Sequence, residues 1–132
     1  MKDTVIRECV ARARKKIFEK RHPQIRYHAH FTFVVQDNAI VEVGYNRSAD
    51  PLIYHGYPKY GKIHSETDAY RKAKGILNQN KTWEVLNVRM SKKGILKNSK
   101  PCPCCSAYLR ELGCRDVWFT TGNGIAKMRL NT

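Results

Sequence analysis

The 132-residue chain has no apolar run approaching the ~20 residues that a membrane-spanning helix requires. Its opening stretch from Met1 to Lys16 mixes charged and apolar positions at helical spacing, unlike the apolar centre of an export leader. The expectation is a soluble, unprocessed, cytoplasmic protein with no membrane partner. No low-complexity tract, internal repeat or linker is evident, and the length suits a single domain over 1–132 with one continuous core. A disulfide framework is also disfavoured. The five cysteines are an odd number, and Cys102, Cys104 and Cys105 stand too close together to staple distant segments, which favours metal binding instead. Cys9 and Cys114 fall among apolar residues and read as core filler.

Acidic residues are scarce as well, with 11 Asp and Glu against 25 Lys and Arg and a formal net charge of +14. A free small molecule does not require a whole surface of one sign, so the excess suggests a polyanionic or phosphorylated partner. A solvated, Lys-rich face with no partner is the alternative.

Val5, Ile6, Cys9, Val10, Ala13 and Ile17 recur at helical spacing behind Asp3, a candidate N-cap, and predict an amphipathic helix ending near Phe18. Phe31, Phe33 and Val35 alternate with Thr32, Val34 and Gln36. Asp37-Asn38 reads as a turn, and Val41, Val43 and Tyr45 alternate again, which predicts a hairpin. An irregular stretch from Asn46 to Ile63 precedes a helical pattern from His64 to about Leu77. A strand from Trp83 to Met90, a polar loop from Ser91 to Lys100, a helix from Cys102 to Leu112 and a strand from Val117 to Thr121 follow. The tight turn at Gly122-Asn123-Gly124 returns the chain as a last strand. That strand must be antiparallel, because a parallel crossover needs a dozen or more residues. Such alternation predicts a three-layer α/β domain with helices on both faces of a mixed sheet.

The chemistry concentrates in two short segments. His64-Ser65-Glu66 followed by Pro101-Cys102-Pro103-Cys104-Cys105 fits H-x-E and P-C-x-x-C, each half opening a predicted helix. On a helical wheel Cys102, Cys105, Leu109 and Leu112 share one face and Cys104 points elsewhere. Pro103 suits the first helical position and Cys102 the cap, so both thiols lie where backbone N–H groups and the helix dipole favour a thiolate. Glu66, Ala69, Ala73, Ile76 and Leu77 share the inward face of the preceding helix. Three protein ligands with a fourth position open suit a catalytic zinc, whereas a structural zinc closes its tetrahedron with protein atoms. A structural site closed by Cys104, in a domain that binds nucleic acid without catalysis, remains the alternative. Glu66 could likewise be a first-turn carboxylate favoured by the helix dipole.

On these motifs the chain resembles the cytidine deaminase superfamily. Gly44-Tyr45-Asn46 is similar to that family's substrate-binding Gly-x-Asn, and the segment from Asn98 to Phe119 is similar to small deaminases of phages and large DNA viruses. The resemblance implies an α/β/α sandwich around a five-stranded mixed sheet. It also implies one zinc per chain held by His64, Cys102 and Cys105, with Glu66 as proton shuttle in the conversion of cytosine to uracil and ammonia. It further assigns Asn46 to the sugar or base and the backbone N–H near Ser65 to the base carbonyl. Ser65 stands where Ala or Val is commoner, and Lys100 where Ser or Glu is often found. Asn46 could equally be a plain loop asparagine. Cytosine rather than adenine follows from the resemblance alone.

For the substrate, Arg21, His22, Arg26 and His28 precede the first strand, while Arg47, Tyr54, His55, Tyr57, Lys59, Tyr60 and Lys62 lead to His64. Basic groups interleaved with aromatics suit a single-strand groove, with Tyr57 and Tyr60 as stacking candidates. The same loop could fold over a small pocket or form a contact in a homo-oligomer. Charge and loops favour a cytosine nucleotide or single-stranded DNA or RNA. The antiparallel last strand instead resembles the free-nucleoside class, so a cytidine or deoxycytidine deaminase is the second reading.

Overall fold

The computed structural model describes residues 1–19, 28–48 and 62–130. Its elements are α1 (Asp3–Phe18), β1 (His28–Gln36), β2 (Ala39–Tyr45), β3 (Arg47–Ser48), β4 (Lys62–Ile63), α2 (Ser65–Ala73), β5 (Glu84–Ser91), β6 (Leu96–Lys97), α3 (Pro103–Glu111), β7 (Asp116–Thr121) and β8 (Gly124–Arg129). Strand alternation and turn chemistry account for the hairpin. Asp37 and Asn38 both take φ near +55°, the left-handed conformation that two-residue hairpin turns require and that Asn and Asp tolerate.

The main sheet runs β2-β1-β5-β7-β8, with β6 paired to β5. The five expected strands are therefore present, and a sixth, short strand interrupts what reads as a polar loop at 91–100. Only two residues long, β6 is below the length at which alternation becomes visible. β5 and β7 are parallel, and β8 returns antiparallel to β7 as its short turn requires.

Period-two alternation sends opposite residues of each strand to two cores. Phe31, Phe33, Val35, Leu86, Val88 and Met90 pack with Val5, Cys9 and Ala13 of α1. On the other face Val34, Val85, Val117 and Phe119 pack with Ala69, Ala73 and Leu77 from α2 and its C-terminal turn, and with Leu109 of α3. This is the expected three-layer arrangement.

Three local expectations need correction. Lys2, not Asp3, occupies the cap of α1, and Asp3 lies in the first turn, where its charge complements the helix dipole. α2 ends at Ala73, short of Leu77, because Lys74 to Ile76 form a turn around Gly75. That turn rotates Ile76 outward to 62 % exposure while Leu77 stays buried. Cys9 and Cys114 are fully buried, as core filler should be, and burial pushes both thiols up to about 12. No helix among the described residues is long and apolar enough to cross a membrane.

β2 and α2 meet backbone to backbone at Gly44, where an added Cβ would run into the amide of Ala69 and the carbonyl of Ser65. Gly44→Ala should therefore push α2 off the sheet. Overpacking costs about 1–3 kcal/mol, and rigid backbone on the far side places this case at the upper end. Urea unfolding measures it, and a midpoint equal to wild type would show that the approach is not tight. Beside this contact, buried Asp68 accepts the backbone N–H of Tyr45 at 3.0 Å and pairs with Arg71 at 3.1 Å and Lys72 at 3.0 Å. Burial alone would raise its carboxyl. The Tyr45 amide and the two cations outweigh that and hold it below the usual range.

Candidate metal centre and its carboxylate

Two helix N-termini converge on one point. His64 caps α2 in extended conformation (φ −74°, ψ 149°), which frees its ring from helical direction, and its carbonyl accepts the Asp68 N–H at 3.1 Å. Cys102 caps α3, also extended, and its Sγ accepts the backbone N–H of Cys105 at 3.4 Å. Pro103 takes the first helical position, where its missing N–H costs nothing. One turn on, Cys105 is fully buried, with Sγ 3.2 Å from His64 Nδ1.

The three ligand atoms of His64, Cys102 and Cys105 lie within 4.8 Å of one another. One imidazole and two thiols gathered at the positive ends of two helices form a donor set suited to zinc in tetrahedral geometry. Cys104 is exposed and outside that group.

Glu66 lies two residues beyond His64 and is only 6 % exposed. Ser65 Oγ donates to its Oε1 at 3.1 Å, and Asn87 Nδ2 donates to its Oε2 at 3.2 Å. Thr32 Oγ1 braces both partners, 2.8 Å from Ser65 Oγ and 2.7 Å from Asn87 Oδ1. Asn87 Nδ2 also reaches the Ser99 carbonyl at 3.3 Å, while Ser99 Oγ donates to the Asn87 carbonyl at 2.8 Å. The loop entering α3 is thus stitched to the strand that supports Glu66. Ser65 thereby acquires a side-chain contact that the Ala or Val usual in the family resemblance could not make.

Thr32, Asn87 and Ser99 are the members of this site that motif reasoning misses. For Thr32 and Asn87 the signal is a polar residue at a buried strand position, as Thr32 is between Phe31 and Phe33; Ser99 is a buried loop serine with no such signal. Asn46 is half-buried, and its Oδ1 accepts the His30 backbone N–H at 2.9 Å, which orients the amide next to the site-bearing face. Tyr57 and Tyr60 lie outside the described residues, as does most of the basic and aromatic segment around them.

No protein-family model matches the sequence, and no curated protein matches it. Solved structures do. The dCMP deaminase of cyanophage S-TIM5 in complex with dCMP and dUMP is 17 % identical, with 90 % of this chain and 82 % of that one covered at a TM-score of 0.55. The cytidine deaminase of Mycobacterium leprae is 17 % identical, with 95 % and 91 % covered at a TM-score of 0.54. At such identities the likeness is one of architecture, and it extends over nearly the whole chain: the protein has the fold of the cytidine deaminase-like superfamily.

Proposed function

We propose that the protein is a hydrolytic deaminase that converts cytosine to uracil in a nucleotide or in single-stranded nucleic acid. The reading is carried by one observation: three zinc-type ligand atoms within 4.8 Å at two helix N-termini, with a buried carboxylate on the first turn of one of them. Zinc held by His64, Cys102 and Cys105 would supply Lewis-acid activation of water at neutral pH. Glu66 takes a proton from the water that attacks the ring carbon bearing the amine. It passes that proton to the ring nitrogen, and a second to the departing amine, so cytosine and water become uracil and ammonia. Ser65, Asn87 and Thr32 hold the carboxylate in one orientation throughout. Asn46 is proposed to hydrogen-bond the sugar or base, and the backbone N–H near Ser65 the base carbonyl. Tyr57 and Tyr60 are proposed to stack on neighbouring bases.

Fold likeness to a dCMP deaminase and the +14 charge both support a phosphorylated substrate. The test is uracil formation by zinc-loaded protein from cytidine, dCMP and single-stranded DNA. Turnover of dCMP or DNA above cytidine is expected. Uracil from cytidine alone would assign the protein to free nucleosides, and uracil from none of them would sink the reading.

A further inference from the structure

The strand register builds a second row of side chains beside the candidate site. Thr32 is paired with Gly44 on one side and with Asn87 on the other, and this row braces Glu66 and admits α2. Two residues further along, His30 is paired with Arg89, and Arg89 with Lys97 of β6. Asn46 completes the row at the β2 end, donating its N–H to the His30 carbonyl at 3.2 Å and accepting the His30 N–H on its side chain. Residues opposite one another in antiparallel strands share a face, and residues two apart along a strand do so too. Asn46, His30, Arg89 and Lys97 therefore stand on the face that carries Thr32 and Asn87, about 6.8 Å further along the strands.

The Arg89 guanidinium is located independently. Its Nη1 donates to the Asn98 carbonyl at 3.4 Å, and the next carbonyl, that of Ser99, takes the amide of Asn87. It thus lies against the loop that leads to Cys102, one residue outward from the group that positions Glu66. His30 and Arg89 are half-buried and Lys97 is exposed, so the row passes from the site into solvent.

We propose that this row is a phosphate-binding rim that takes the 5′-phosphate of a cytosine nucleotide whose base is at Glu66. An arginine fork matches phosphate oxygens, a histidine ring offers an N–H, a lysine adds a point charge, and Asn46 closes the row beside His30 at the β2 end. The proposal rests on the deaminase reading for the position of the base, and it narrows the substrate to a nucleotide over a nucleoside.

Affinities of the zinc-loaded protein for dCMP and for deoxycytidine, measured calorimetrically alongside uracil formation, test it. Charge-assisted hydrogen bonds lead us to expect dCMP to bind at least about tenfold more tightly. Arg89→Gln should bring the ratio close to one, Arg89→Lys should restore part of it, and Lys97→Ala, at an exposed position that should not disturb folding, should lower it severalfold. Equal affinities in wild type, or a ratio unmoved by both Arg89→Gln and Lys97→Ala, would overturn the rim. Deamination of both compounds with a ratio of one would overturn it and leave the deaminase standing. An Arg89-dependent preference for dCMP without any uracil would uphold the rim and remove the deaminase.

Discussion

Glu66→Gln is expected to leave fold and zinc content unchanged and to lower turnover of cytosine substrates by at least ~10²–10⁴-fold, the usual contribution of general acid–base catalysis. The substitution is nearly isosteric, and its amide suits the surroundings of the carboxylate. The remaining oxygen can accept from Asn87 Nδ2, and the new amide N–H can donate to Ser65 Oγ, so the brace built by Thr32 persists. What disappears is the capacity to take up a proton and give it back. Near-wild-type turnover in a folded, zinc-replete Glu66→Gln protein would eliminate Glu66 as the shuttle. A protein that lost zinc as well would show that the carboxylate supports the metal site, not the chemistry.

The second large effect concerns the metal. Cys105→Ser should abolish retention of about one zinc per chain after dialysis, and Cys104→Ser should not. The two neighbours differ in place, not in chemistry: Cys105 is fully buried with its sulfur against His64, and Cys104 is exposed. A ligand at a hundredfold excess over its dissociation constant adds about 2.7 kcal/mol to stability. Loss of zinc should accordingly lower the melting temperature by on the order of 10 °C in a chain of this size. Equal zinc loss in both variants would indicate a closed four-ligand structural site and count against catalysis.

These two tests separate what is legible in the sequence from what is not. Helix and strand periodicities in the first helix, the hairpin and the last two strands are long enough to read, and the short turn at Gly122 dictates antiparallel pairing. The H-x-E and P-C-x-x-C spacings mark the candidate ligands because both are local to helix starts. The brace around Glu66 is invisible in that way. Thr32, Asn87 and Ser99 are separated from Glu66 by tens of residues and meet only through sheet register. The row from Asn46 to Lys97 is hidden for the same reason, since it depends on β6, a strand too short to leave a pattern. Ile76 is misplaced by the wheel because the helix turns at Gly75 before reaching it.

The sheet that carries the site also partitions the molecule's mutational risk. On the α1 side it presents an apolar core, Phe31, Phe33, Leu86, Val88 and Met90 against Val5, Cys9 and Ala13, with buried Glu84 pairing the Met1 amino group at 3.1 Å. On the other side the same strands present Asn87 to Glu66 and Thr32 to Ser65 and Asn87. Neighbouring residues of one strand thus answer to different selective demands. Changes at 31, 33, 86 or 88 fall on the apolar core, and changes at 32 or 87 fall on the hydrogen bonds that orient Glu66. Under the proposed phosphate rim, single substitutions at 30 and 89 should shift substrate preference and leave the α1-side core unchanged.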